Sequence, residues 1–184
     1  MLIAISGPDG TGKTTLAKKL SENVEGLNYL YFGSNIENRS YKYFEDYIKL
    51  SKPGKIYTAF KYLFIFVNDL HYFRLAKKNN IISDRCPVDK YVYTKIHQQK
   101  YRFLYQRLVL KLLPDPDLII LLEGDLEIIY ERKKEIPLET IEKMILYYKE
   151  YISLNNIPYR VVNTTENDLN KSYSIVEEIV KKAL

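Results

Sequence analysis

Apolar residues in this chain come either in short continuous runs or at spacings of three and four. The short runs cover residues 2–6, 27–32, 81–83, 118–122 and 159–162, and the one at 118–122 is apolar throughout. Each is too short for a helix, and a run that is apolar at successive positions buries both of its faces, as a strand of a parallel sheet does. Helical spacing fills the intervals. In 13–24 it puts Leu16, Ala17 and Leu20 on one face, and in 57–79 it aligns Ala59, Leu63, Phe66, Val67, Leu70 and Phe73. Further helices are predicted over 41–50, 88–97, 101–113, 126–134, 138–154 and from about 169 onward. The breaks carry turn chemistry: Ser51-Lys52-Pro53-Gly54, Asn79-Asn80, Pro114-Asp115-Pro116, and Asn155 to Pro158. Asp125 stands where it can cap the helix that follows it.

Strands alternating with helices predict an α/β protein of three layers, with a five-stranded parallel sheet and helices on both faces. There is no internal repeat, low-complexity tract or dividing linker, so all 184 residues read as one domain.

Composition narrows the class. At 46% hydrophobic and 28% charged residues the chain reads as an ordinary globular protein, which excludes a disordered one. Cys86 stands alone, so no internal disulfide can form, and a reducing compartment is expected. The N-terminus lacks the basic start of a signal peptide, and no apolar run reaches the length of a membrane span. A cytoplasmic protein without a membrane segment is the expectation. The net charge of +5 suits a polyanionic ligand, but Lys77-Lys78, Lys133-Lys134 and Lys181-Lys182 are short and scattered. They read as solvated faces, and no nucleic-acid partner is expected. His71, His97 and Cys86 make no metal-binding pattern. The 18 tyrosines fall mostly on helical stretches and read as packing residues.

One motif carries chemistry. Gly7-Pro8-Asp9-Gly10-Thr11-Gly12-Lys13-Thr14 fits G-x-x-x-x-G-K-[ST], lies between an apolar strand and an amphipathic helix, and is followed by Thr15. Glycines let such a loop turn tightly and aim its N–H groups at phosphate oxygens, and the helix N-terminus adds its dipole. Lys13 then reaches the β- and γ-phosphates of ATP, and the Thr14 hydroxyl holds Mg²⁺. The guanine-reading N-K-x-D of GTP-binding switches is missing, since Asn170-Lys171 runs into Ser172-Tyr173. Asp84-Arg85 follows a buried strand, at the edge where parallel sheets bind ligands. There a carboxylate can hold Mg²⁺ and a guanidinium can clamp phosphate, or the two can form a structural pair.

These residues resemble the thymidylate kinase family of P-loop nucleoside monophosphate kinases. The P-loop with its acid at Asp9, Ile81 to Cys86 around Asp84-Arg85, Phe66-Val67-Asn68-Asp69, and 121–132 all carry the likeness. The resemblance implies the P-loop kinase fold with a short lid at about 132–138. It implies that Asp84 organises Mg²⁺, Arg85 binds the acceptor phosphate and Asp9 contacts the acceptor sugar. It implies that Phe66 stacks on the acceptor base, beside Asp69. On periodicity alone Phe66 is equally a core residue and Asp69 a surface charge.

Three departures stand out. Leu70 replaces the family's arginine, and Arg74, one helical turn on, is the substitute candidate. Cys86 replaces an aromatic. The lid is short and lacks later arginines. By resemblance Arg132 covers the ATP phosphates, although it also suits a helix end, and Asn163, Thr164 and Thr165 flank the adenine. A homodimer is implied likewise. The expected reaction is in-line transfer of the γ-phosphoryl of Mg-ATP to a nucleoside monophosphate, with dTMP to dTDP first. Two alternatives stay open: a deoxynucleoside kinase, for which Glu37 is a weakly placed base, and a P-loop module that binds ATP with little turnover.

Overall fold

The computed structural model describes residues 1–32, 67, 70, 74, 79–97, 113 and 115–184. Its described elements are strands β1 (Leu2–Ser6), β2 (Leu27–Tyr31), β3 (Asn80–Asp84), β4 (Leu118–Glu123) and β5 (Tyr159–Asn163). The helices are α1 (Lys13–Asn23), α2 (Pro87–Ile96), α3 (Leu126–Arg132), α4 (Leu138–Leu154) and α5 (Leu169–Ala183). The predicted helix 41–50 lies outside the described residues, as does 101–113 except for Leu113. Of the predicted helix 57–79, Val67, Leu70 and Arg74 are described and helical.

All strand pairs are parallel, in the order β2-β3-β1-β4-β5. Strand alternation divides the core. Ile3 and Ile5 of β1, with Leu118, Ile120 and Leu122 of β4, pack under Leu16 and Leu20 of α1 and Val176 and Val180 of α5. Ala4, Ile119 and Leu121 face the other way, against Val88 and Val92 of α2 and Met144, Tyr148 and Ile152 of α4. That two-sided burial is why these strands lack polar alternation. The third strand, predicted over three residues, has five, because its ends also pair: Asn80 with Leu27, and Asp84 with both Ile5 and Tyr31. No described helix is long and apolar enough to cross a membrane.

Helix ends follow side-chain chemistry. The Asp125 carboxylate accepts the N–H groups of Glu127 and Ile128 at 3.0 Å, as predicted for α3. Asp168 caps α5 by accepting Lys171 N–H at 2.7 Å. Pro87 opens α2, where its missing N–H costs nothing. The register Ile5↔Asp84 and Ser6↔Leu121 brings the carboxyl ends of β1, β3 and β4 level. Candidate chemistry therefore gathers at one edge of the sheet.

Candidate active site

The polypeptide leaves β1 at Gly7 and returns to regular structure at Lys13. Close approach dictates two of the glycines between. A Cβ on Gly7 would stand 2.4 Å from the Leu122 carbonyl oxygen, and one on Gly10 would stand 2.7 Å from that of Ile129. Both also have positive φ, 146° and 95°, where side chains are strained. Gly12, left-handed at φ 86°, precedes α1 and offers no side-chain cap. Among the described residues no side chain caps the first-turn N–H groups of α1, which lie beside the exposed Thr14 and Thr15. This is an anion-binding geometry built from backbone and helix dipole. Pro8 and Thr11 are buried, and the Thr11 hydroxyl tightens the loop by donating to the Pro8 carbonyl at 2.8 Å.

Lys13 curls back beneath the loop. Its ammonium donates to the carbonyls of Gly7 and Pro8 at 2.8 Å each, and to Asp9 Oδ1 at 3.2 Å. Burial pushes its pKa down from the usual lysine value, against the pull of Asp9 and Asp89. Asp9 is the hub of the cluster. Besides Lys13, it accepts from Arg85 Nη2 and from the Tyr93 hydroxyl, each at 2.8 Å. Burial alone would raise the Asp9 carboxyl, but the charges of Lys13 and Arg85 and the Tyr93 hydrogen bond outweigh it and bring it down to about 2. Arg85 has φ 72°, an uncommon conformation for a side-chain-bearing residue. Its N–H bonds the Ile5 carbonyl at 2.9 Å, which fixes the turn after β3 and aims the guanidinium at the P-loop and across the Tyr93 ring.

The Thr14 hydroxyl donates to Asp84 Oδ2 at 2.5 Å. Asp84 is fully buried, and its Oδ1 has no hydrogen-bond partner among the described residues, which for a carboxylate at the end of β3 is costly unless a cation completes it. A hydroxyl and a carboxylate are hard oxygen donors suited to Mg²⁺. No group of three or more His, Cys, Asp or Glu able to hold a metal occurs among the described residues. An ion here would accordingly take its remaining ligands from phosphates and water, as Mg²⁺ does.

On the other flank, Arg132 at the end of α3 donates to the Thr164 carbonyl at 3.0 Å. Asn163 Oδ1 accepts from the N–H and the hydroxyl of Thr165 at 2.9 Å each. The Thr165 hydroxyl oxygen in turn accepts the Asp125 N–H at 2.8 Å. The loop after β5 is so stitched to the turn after β4.

Phe66, Asp69 and Glu37 lie outside the described residues. Arg74 is helical and exposed. Leu70, where the resembled family has arginine, packs against Leu2, Phe32, Ile81 and Leu113. The structure brings together Asp9, Lys13, Thr14, Asp84 and Arg85, and it adds residues that the sequence reading missed: Ser6, Asp89, Tyr93 and Tyr148. Asp89 is buried and accepts from Ser6 Oγ, from Cys86 N–H and from the Tyr148 hydroxyl, each at 2.8 Å. Burial pushes its carboxyl up. Pro87 at the first helical position with an acid two residues later was the legible signal for a capping arrangement at Cys86. Nothing local marks Tyr93 or Tyr148 among so many tyrosines.

The family model described as thymidylate kinase matches residues 5–179. A deoxyadenosine/deoxycytidine kinase of Bacillus subtilis is 28% identical, over 97% of this chain and 89% of its own length. A probable thymidylate kinase of Saccharolobus solfataricus is also 28% identical, over 100% of this chain and 98% of its own. Among solved structures, thymidylate kinase from Candida albicans superposes with a TM-score of 0.76 at 22% identity, over 99% of this chain and 91% of that one. Deoxyadenosine kinase from M. mycoides with bound dCTP gives 0.67 at 24%, over 99% and 100%.

Proposed function

The chain belongs to the thymidylate kinase family, and from that premise we propose that it transfers the γ-phosphoryl group of ATP to a nucleoside monophosphate, with dTMP to dTDP as its reaction. One observation among the described residues favours a monophosphate acceptor. Glu37, the candidate base of the alternative, lies outside the described residues, and in the described cluster the Asp9 carboxyl is brought down to about 2 by Lys13, Arg85 and the Tyr93 hydrogen bond. A group so acidic is a poor general base for a sugar hydroxyl. A monophosphate needs no base, because its oxygen is already anionic, and Arg85 stands beside Asp9 to receive it.

The residues then divide the work. The N–H groups of Asp9, Gly10 and Gly12 to Thr15 cradle the donor phosphates. Lys13 leaves the loop carbonyls to neutralise the β- and γ-oxygens. Arg85 orients the acceptor phosphate for in-line attack, and Asp9 holds the acceptor sugar. Thr14 and Asp84 would hold Mg²⁺, which supplies charge neutralisation between the phosphates. Arg132 covers the adenine and the phosphates and brings positive charge to the moving group, and Asn163 and Thr165 flank the adenine. Phe66, Asp69 and Arg74 remain candidates for the acceptor base, and a homodimer is the expected assembly. Positioning and charge supply the catalysis, as phosphoryl transfer requires.

A deoxynucleoside kinase is the second reading, favoured by the relative from Bacillus subtilis, which covers nearly the whole chain. ADP release is measured with Mg-ATP and each nucleoside monophosphate or deoxynucleoside, with Lys13→Ala as control. Lys13-dependent turnover with dTMP and none with nucleosides is the expected outcome. Turnover with deoxynucleosides alone overturns the monophosphate reading. Binding of ATP with silence on every acceptor makes the protein a nucleotide-binding module.

A further inference from the structure

Behind the P-loop lies a polar group that the proposed chemistry leaves unused. Tyr148, in the middle of α4, is fully buried. Its hydroxyl donates to Asp89 Oδ1 at 2.8 Å and also reaches the Gly7 carbonyl at 3.3 Å. That same carbonyl accepts the Lys13 ammonium at 2.8 Å. The other Asp89 oxygen is tied to Ser6 of β1 and to the N–H of Cys86. One buried carboxylate therefore joins β1, α2 and α4 directly beneath the first peptide of the loop. The shared acceptor is the telling feature. A lysine that binds nucleotide phosphates must let go of the carbonyls it now holds. Gly7 is buried, and a buried carbonyl that loses its donor is destabilised by about the worth of the bond lost.

We propose that Tyr148, anchored by Asp89, is a positioning residue that keeps the Gly7 carbonyl satisfied when Lys13 turns to the triphosphate. The hydroxyl proton is divided between two acceptors, and its balance moves toward Gly7 as the ammonium departs. Asp89 retains its bonds to Ser6 and Cys86 throughout. The loop keeps its shape, and the helix that follows the lid segment stays coupled to it.

The inference rests on the phosphoryl-transfer reading, and its test separates the two. Tyr148→Phe removes only the hydroxyl. In the native loop Gly7 still has Lys13, while in the nucleotide-bound loop it has nothing. Affinity for a fluorescent non-hydrolysable Mg-ATP analogue is expected to fall roughly fivefold, the worth of one ordinary hydrogen bond. KM for the acceptor should stay unchanged. In the Lys13→Ala background the carbonyl lacks the lysine with or without nucleotide, so adding Tyr148→Phe should cost no further affinity. Asp89→Asn, which weakens the anchor, should shift ATP affinity in the same direction and serves if Tyr148→Phe folds poorly.

A lower melting temperature with unchanged analogue affinity would make the pair merely structural and overturn the proposal. So would an equal loss in the Lys13→Ala background, or parallel losses for ATP and acceptor. If the wild type itself fails to bind the analogue, the phosphoryl-transfer reading falls and takes the inference with it. If the wild type binds and both variants bind equally well, only the inference falls.

Discussion

The two flanks of the P-loop are built from different materials. Toward α2 the loop meets charged side chains at low exposure, Asp9 between Lys13 and Arg85, with the buried carboxyl of Asp89 beneath them. Toward α3 and β5 one cation, Arg132, stands among backbone carbonyls, amides and hydroxyls joined through Thr165, Asn163 and Thr164, which leaves that flank largely neutral. Charge is worth more where water is excluded, and it does most where the reaction moves charge. On the proposed function, the ionic flank takes the travelling phosphoryl and its acceptor. The neutral flank suits a flat, uncharged base. On this view a substitution on the ionic flank should slow transfer, and one on the neutral flank should weaken donor binding alone.

The most severe test is Lys13→Ala. It removes the cation nearest the donor phosphates, so kcat should fall by about 10²- to 10³-fold, the usual cost of losing a preorganised charge at the reacting group. A loss confined to KM for ATP would deny the ionic flank its role in transfer. Arg85→Lys is gentler. It keeps the charge but loses the planar fork, and kcat/KM for the acceptor should drop on the order of 10- to 100-fold with ATP affinity preserved. Full activity in Arg85→Lys would mean that the guanidinium serves Asp9 alone.

Acid tests the same flank through stability. The folded Asp9 carboxyl lies at about 2, below its ordinary value of 3.8. A depressed carboxylate stabilises the fold above its unfolded value, and that contribution disappears as pH falls from about 4 to about 2. The shift is worth at most about 2 kcal/mol, and solvent screening reduces it. Asp9→Asn should lower the melting temperature at neutral pH and flatten its decline across that interval. An acid-denaturation profile in Asp9→Asn as steep as the wild type's would place the acid-sensitive charge elsewhere.

How much of this was legible in the sequence depends on whether a feature is local. The P-loop was readable in full, because its glycines, lysine and threonine act within one turn of chain between a strand and a helix that advertise themselves. Asp84-Arg85 was readable because a strand end locates the sheet edge. Hydrophobic runs located all five described strands, and only their ends shifted, where pairing partners extended β3. Tyr93, Asp89 and Tyr148 were not readable as site neighbours. Their roles arise from contacts between positions 84, 83 and 141 residues apart, and a tyrosine on a helix has the same pattern whether it packs or donates. Leu70 shows the converse. Where the family has an arginine, Leu70 is partly buried against Leu2, Phe32 and Ile81, a packing contact that its helical spacing alone does not announce.

Gly124→Ala is the mildest test and the most discriminating. Gly124 stands at the turn after β4, and a Cβ there would lie 2.5 Å from Thr165 Oγ1, 2.6 Å from Thr165 Cγ2 and 3.0 Å from Asn163 Oδ1. Thr165 must move aside, and in moving it gives up the bonds that join Asp125 to Asn163. The neutral flank opens while the ionic flank is untouched. KM for ATP should rise about tenfold, as expected from losing one or two ordinary hydrogen bonds, with kcat at saturation and KM for the acceptor near their wild-type values. Adding Thr165→Ala removes the clashing atoms without restoring the bonds. It should therefore recover thermal stability but not ATP affinity. If Gly124→Ala instead lowered kcat or acceptor binding, strain at the β4 turn would be crossing the loop, and the two flanks would have to be treated as one cooperative unit.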